Sequence, residues 1–407
     1  MVIPSFRRTE HGLQVRYLKG RAIFLFLCIL LMVIWMKWKL CILMFSCYFL
    51  CAIGTTQMIP YLTTLGYSAQ EKGYLLAMIA ITTIVLQIVT GYLSDKLKMI
   101  KGIYIGIFLI FLVSSSLLFM HKSSLFIYYL LLVGIIGGCY RCSNGLLDSW
   151  MLQLDSERFS SLRAFGALGW ASGSILLANI LSIFGYGCIP LILGIVGCGS
   201  VIISFMVKDS ERKQTKVQIT DIVELVKNRK YMIFIAIVFL LYALGCADMY
   251  IVVDKILAIG GSSWEVGMKW GLQSLMEVPI LLVGNRLLKK YGVYKLLYFA
   301  SIMFLIRFLV YGYLQQANLF LYASIFQLVT FPIVVFCSKE EFEKLIDEKL
   351  KTSGQMFAMS LYMGASLFIM PIACSWLVEW VGFDVALYGV SCLAFFTILL
   401  LCIYQKL

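Results

Sequence analysis

Charge is scarce in this chain. Only 14% of its 407 residues are Asp, Glu, Lys or Arg, where a soluble domain carries about 25%. That shortage excludes a soluble enzyme, a disordered chain and a nucleic-acid binder. Histidine is rarer still. The two present, His11 and His121, lie in polar stretches, which leaves no His relay inside an apolar segment. No Gly-x-x-x-x-Gly-Lys-Ser/Thr phosphate loop occurs, so the chain does not drive itself with ATP. Thirteen cysteines are present, nearly all within apolar runs, where a free thiol behaves as a small hydrophobe. Cys139 and Cys142 have the C-x-x-C spacing, but no second pair and no nearby His completes a zinc site. Buried packing is the expectation, with no metal and no cofactor.

Apolar residues are what the chain has in abundance, at 61% and a mean hydropathy of +0.92. An integral membrane protein is the class that remains. A span needs about 20 mostly apolar residues. Twelve such segments follow from Leu40, near residues 40–64, 69–94, 101–119, 124–151, 163–183, 188–208, 231–256, 263–289, 292–312, 317–337, 353–378 and 382–404. Helices are required because lipid offers backbone amides no partner, and the alternating ten-residue strands of a membrane barrel are absent. The fold expected is all-α, with twelve transmembrane helices in two pseudo-symmetric six-helix bundles.

The net charge of +13 is a statement about topology. Loops after even-numbered spans hold Lys96, Lys98 and Lys101, Arg158 and Arg163, Lys208 to Lys230, Arg286 to Lys295, and Lys339 to Lys351. Loops after odd-numbered spans hold little beyond Lys72, Lys122 and Lys255. Retention of cationic loops places the first set, and both ends of the twelve-span body, in the cytoplasm of a cell-membrane protein.

The longest polar stretch divides the chain. Residues 37–207 form one expected bundle, 208–230 a cytoplasmic linker and 231–407 a second bundle. A weak repeat supports the division. Gly91-Tyr-Leu-Ser-Asp-Lys recurs loosely as Gly284-Asn-Arg-Leu-Leu-Lys about 190 residues later, and Gly169 and Gly173 match Gly354 and Gly364 at a similar offset. Residues 1–36 stand apart. Their apolar run, 22–36, reaches only about 22 Å in helix and follows a basic leader. It is read as a dispensable extension.

The run Gly91-Tyr-Leu-Ser-Asp95-Lys96-Leu-Lys98 resembles the signature loop of the major facilitator superfamily, with Lys98 where a second glycine is usual. Arg163-Ala-Phe-Gly166-Ala-Leu-Gly169-Trp170-Ala-Ser-Gly173 is similar to the fifth-span motif of the branch of sugar, nucleoside and phenylpropionate proton symporters. Leu147-Asp148-Ser-Trp and Glu277-Val-Pro279 point the same way. The resemblance implies a secondary active transporter that carries a small polar or aromatic solute by alternating access, coupled to protons. A non-transporting sensor on the same fold and a polytopic lipid-modifying enzyme are the alternatives, the second without its surface His/Asp cluster. The partners expected are a small-molecule substrate, a co-transported proton and the bilayer, with no nucleic acid. A monomer is expected.

Physical chemistry gives the motif residues work without the name. Gly91 permits close helix approach, and Asp95 beside Lys96 can cap a neighbouring helix or pair with a base. Ionisable groups inside spans are the sharper signal, each costing about 2.5–3.5 kcal/mol on the lenient insertion scale. Arg141 and Asp148 lie seven apart on one face of the fourth span with Asn144 between them. Asp248 is in the seventh span, Lys269 and Glu277 in the eighth, and Arg307 in the ninth, with Arg163 opening the fifth. One reading is a structural network in which Arg307, Lys269 and Arg163 neutralise acids across the two bundles. The other is that one acid carries the coupled proton, because desolvation lets a buried carboxyl load and release it. Glu277 ranks first, near mid-span and two residues before Pro279; Asp248 and Asp148 follow. The tenth span offers only Gln327, so the lactose-permease relay does not transfer intact. The cavity is expected to be lined by Tyr48, Thr55, Thr56, Gln57, Arg141 and Asn144 from the first half, and by Tyr250, Gln273, Gln355 and Tyr362 from the second. Arg141 would take a carboxylate or phosphate if Asp148 does not occupy it.

Overall fold

The protein is described by a computed structural model covering residues 38–406, apart from 98, 124, 156–157, 210–225, 347–353 and 355–356. The extension 1–36 and most of the linker 208–230 lie outside the described residues. Every regular element among those described is helical. α1 spans Trp38–Thr64, with a turn at Thr56 and Gln57. α2 is Ala69–Leu97, α3 Lys101–Met120, α4 Phe126–Leu154, α5 Phe159–Phe184 and α6 Ile189–Met206. In the second half, α7 is Arg229–Ala258 and α8 is Ser263–Tyr313. α9, Ala317–Leu345, contains a 3-10 stretch at Ser324–Val329. α10, Phe357–Tyr404, contains a π-helical turn at Ser360–Gly364.

Ten helical stretches among the described residues are long and apolar enough to cross a membrane. The expected twelve are not met by length and apolarity alone, for two local reasons. The expected eleventh and twelfth spans run together in α10 across Gly382, at φ +77°. The expected eighth, the first part of α8, carries Glu265, Lys269 and Glu277 and is too polar to qualify. It joins the ninth across Gly292, at φ +74°. Both breaks sit in the left-handed region, where glycine meets no Cβ penalty.

Helix starts follow from local chemistry. At α8 the Ser262 hydroxyl accepts from the Trp264 N–H, and Glu265 accepts from the Ser262 N–H at 2.8 Å, a reciprocal cap. The Asn228 side chain accepts from the Tyr231 N–H at α7.

Glycines set the closest crossings. On α5, Gly166 faces the Tyr48 ring, Gly169 lies against the Phe45 backbone, and a Cβ on Gly173 would fall 2.6 Å from the Phe49 carbonyl oxygen. The fifth-span motif therefore lets α5 lie directly on α1. Gly267 and Gly271 of α8 do the same against α5, meeting Ala178 and Ile175. Gly91 does not: a Cβ there would meet nothing within 4 Å. The expected close approach at Gly91 is absent, and the neighbouring Ile88 and Tyr92 are exposed. The glycine repeat likewise ends at sequence, because Gly364 has only the Ile84 Cδ1 near it, at 3.7 Å.

α2 and α3 pack on α4, and α3 also on α6; in the second half α8 packs on α9, and α7 and α8 on α10. The halves meet where α5 crosses α8 and α2 crosses α10.

Candidate functional site

One polar cluster is buried inside the second half. Asp248 of α7 is 5% exposed, Lys269 of α8 0% and Arg307 1%. The Lys269 ammonium donates to Asp248 Oδ2 and to the Asp248 carbonyl, both at 3.1 Å. Gln273 Nε2 donates to the same Oδ2 at 3.0 Å. Arg307 Nη2 lies 3.0 Å from Asp248 Oδ1, an ion pair not aligned as a hydrogen bond. Two cations thus share one carboxylate. Arg307 turns its other nitrogens outward, Nε to the Tyr311 hydroxyl at 3.0 Å and Nη1 to Gln327 Oε1 at 2.6 Å. Gln327 Nε2 then donates to Glu277 Oε1 at 2.7 Å. The amide links Arg307 to Glu277, so the second cation reaches a second acid through one side chain. Glu277 itself is only half-buried.

The first half holds a smaller group. Asp148 Oδ1 accepts from the Tyr48 hydroxyl at 3.2 Å, and Asp148 Oδ2 lies 3.6 Å from Arg163 Nε. The Arg163 guanidinium covers the Tyr48 ring at 4.5 Å. Asn144 Oδ1 accepts from Cys51 Sγ at 3.6 Å and from Cys47 Sγ at 3.8 Å. Arg141 is left without a carboxylate. Its guanidinium lies 5.7 Å from the Tyr140 ring centre and reaches towards Tyr250 across the interface, and its Nε is buried without a partner.

These placements revise the expected network. The direct ion pairs of these three bases run within each half, Arg163 with Asp148, and Lys269 and Arg307 with Asp248, while Arg163 is also near enough to Glu277 to act on it across the interface. Arg141 and Asp148 share a face, yet Asp148 is occupied by Tyr48 and Arg163. Gln273 is enclosed in the Asp248 cluster. Gln57 is buried, its Nε2 donating to the Ser263 carbonyl at 3.0 Å, and ties α1 to α8. Tyr362 packs between Tyr242 and Phe342. Lys96 is exposed beside the Tyr92 ring. Gln355 lies outside the described residues, as do the surroundings of the Asp95 side chain.

The halves are fastened at one end. There Lys72 of α2 pairs with Asp254 of α7 and donates to Thr63 Oγ1 at 3.0 Å. Tyr186 shares a 2.6 Å hydrogen bond with Ser263, Trp264 Nε1 donates to Asn179 at 3.2 Å, and Trp376 Nε1 to Tyr74 at 3.3 Å. Away from that end, Ser274 Oγ donates to the Ala167 carbonyl at 2.9 Å near mid-depth, and Arg141 meets the Tyr250 hydroxyl. Next to the latch, Lys255 turns inward, pairing with Asp384 at 2.7 Å and donating to the Tyr311 and Gly312 carbonyls. Lys72 and Lys255 were legible only as loop charges; their place inside apolar helices was the missed signal.

A multi-pass helical membrane protein with two packed halves and an arginine and a glutamate facing the interface from opposite sides has the build of a solute transporter. The chain belongs to the family described as MFS_1 like family, which it matches over residues 37–383. Among solved structures it is similar to the nucleoside transporter NupG, with a TM-score of 0.75 and 17% identity over 91% of this chain and 98% of that one. It is equally similar to the D323A mutant of NupG, at TM-score 0.77 and 17% identity, over 91% of this chain and 99% of that one. No curated protein matches by sequence. Family and fold together make this a secondary active transporter of the major facilitator type, with a small-molecule substrate.

Proposed function

We propose that the chain is a proton-coupled transporter of the cell membrane, working as a monomer that rocks two six-helix halves about a site between Arg141 and Glu277. In this reading the halves are residues 37–207 and 231–407, joined by a cytoplasmic linker. Breaks at Gly292 and Gly382 divide α8 and α10 into two spans each, which brings the total to twelve. The charged loops place the Lys72 end outside and the Arg163 end in the cytoplasm, so the conformation described is closed outward.

The observation that carries the reading is the orientation of Glu277. It is half-buried and faces the interface, with one oxygen held by Gln327. Asp248 and Asp148, by contrast, are already engaged by bases. A carboxyl tethered by a neutral amide can gain or lose a proton without breaking an ion pair. Gly91, Asp95 and Lys96 lie at the end that must close when the outside opens, which suits a gating role. The mixture of tyrosine, amide and guanidinium groups suits nucleosides, sugars or aromatic acids. Similarity to a nucleoside transporter makes nucleosides one class to try. The test is uptake into proteoliposomes under an imposed pH gradient, where accumulation should follow the gradient and collapse with an uncoupler.

A further inference from the structure

We propose that the solute carried is a monoanion, a carboxylate on a planar ring, whose charge is held by Arg141. This rests on the transporter reading above and deepens it.

The charged groups near the interface do not all find partners. The halves hold four cations there, Arg141, Arg163, Lys269 and Arg307, and three acids, Asp148, Asp248 and Glu277. Of the other buried charges, Lys72 with Asp254 and Lys255 with Asp384 cancel in pairs, and Glu341 of α9 accepts from the Tyr294 and Tyr404 hydroxyls at 2.8 and 2.9 Å. Arg163 has Asp148 at 3.6 Å. Lys269 and Arg307 have Asp248 at 3.1 and 3.0 Å, and Arg307 reaches Glu277 through Gln327. Arg141 alone of the four has no acid partner among the described residues.

Its surroundings fit the proposed ligand. The Tyr140 ring lies 5.7 Å from the guanidinium, the Tyr250 hydroxyl is its hydrogen-bonding neighbour across the interface, and its Nε lies buried and unpaired. A planar fork of N–H donors matches a carboxylate in two parallel hydrogen bonds, and the Tyr140 ring offers an aromatic ligand something to stack on.

The stoichiometry also fixes the electrical character of transport. Relative to the empty carrier, a carboxylate alone would lower the interior charge by one, and a proton on Glu277 alone would raise it by one. Both together leave it unchanged, so loaded and empty carriers cross with the same charge. Proton and carboxylate symport is therefore electroneutral, whereas a neutral solute carried with a proton would move charge.

The experiment compares benzoate and phenylacetate with their neutral amides and with uridine, first by thermal shift of the purified protein and then by proteoliposome uptake. An alkaline lumen and a valinomycin-set potential are imposed separately. The carboxylates should stabilise the protein and be taken up at least tenfold better than the amides. Uptake should respond to the pH gradient and not to an inside-negative potential. Arg141→Gln should erase the preference, and Arg141→Lys, which keeps charge without the fork, should retain part of it. Equal binding of amides or uridine, or carboxylate uptake accelerated by inside-negative potential, overturns the proposal. Carboxylate-specific thermal shifts without uptake of any compound would uphold the Arg141 assignment and sink the transporter reading instead.

Discussion

Lys72 and Asp254 form an ion pair that joins the first half of the protein to the second, with both side chains largely withdrawn from solvent. The residue next to Asp254, Lys255, points the other way into its own half. One turn of α7 thus carries a contact that must break when this end opens and another that can persist. Breaking either partner alone should open the end. Lys72→Ala or Asp254→Asn should lengthen or broaden the spin-label distance between Thr64→Cys and Gln316→Cys, and the swapped pair K72D/D254K should restore it. An unchanged distribution in the single variants would remove the latch from the account.

Glu277→Gln should abolish pH-driven accumulation while leaving folding and expression intact. The substituted amide still presents an oxygen to Gln327 Nε2, so the 2.7 Å contact has a replacement. Uphill transport retained in this variant would transfer the proton to Asp248 or Asp148.

The two remaining acids differ in what they hold. Asp248→Asn leaves Lys269 and Arg307 buried with no direct anion, a loss on the order of 3–5 kcal/mol. Asp148→Asn removes a pair whose side chains are 28% and 43% exposed, where about 1 kcal/mol or less is expected. Melting temperatures in detergent should rank the first variant far below the second. Similar values for both would contradict the burial argument.

Glycine substitutions should separate packing from signature. Gly169→Val drives a side chain into the Phe45 backbone and should cost about 1–3 kcal/mol or more, since backbone yields poorly. Gly91→Ala meets open space and should leave the melting temperature unchanged while slowing transport, if close approach at Gly91 occurs in the opposite conformation. A destabilised Gly91→Ala would place that contact in the conformation described.

Helices and their order were legible because lipid forces hydrophobic runs to declare themselves. Gly166, Gly169 and Gly173 also announced their packing, since a glycine every three or four residues marks one face of a helix. Side-chain pairing was not legible. Asp148 could face Arg141 by helical spacing, yet it pairs with Arg163, which stands on another helix. The role of Gln327 was hidden for the same reason. An amide in a span signals little until Arg307 and Glu277 are seen on either side of it. Lys72 was hidden by its position near a span boundary, where a snorkelling charge looks like a loop charge.

The most direct measurement of the central claim is lumenal pH in proteoliposomes as candidate solutes are added to wild-type protein and to Glu277→Gln. The account predicts a pH change that appears with one class of solute, follows its uptake, and vanishes in the variant. Solute uptake by the wild-type protein with no movement of lumenal pH would contradict it.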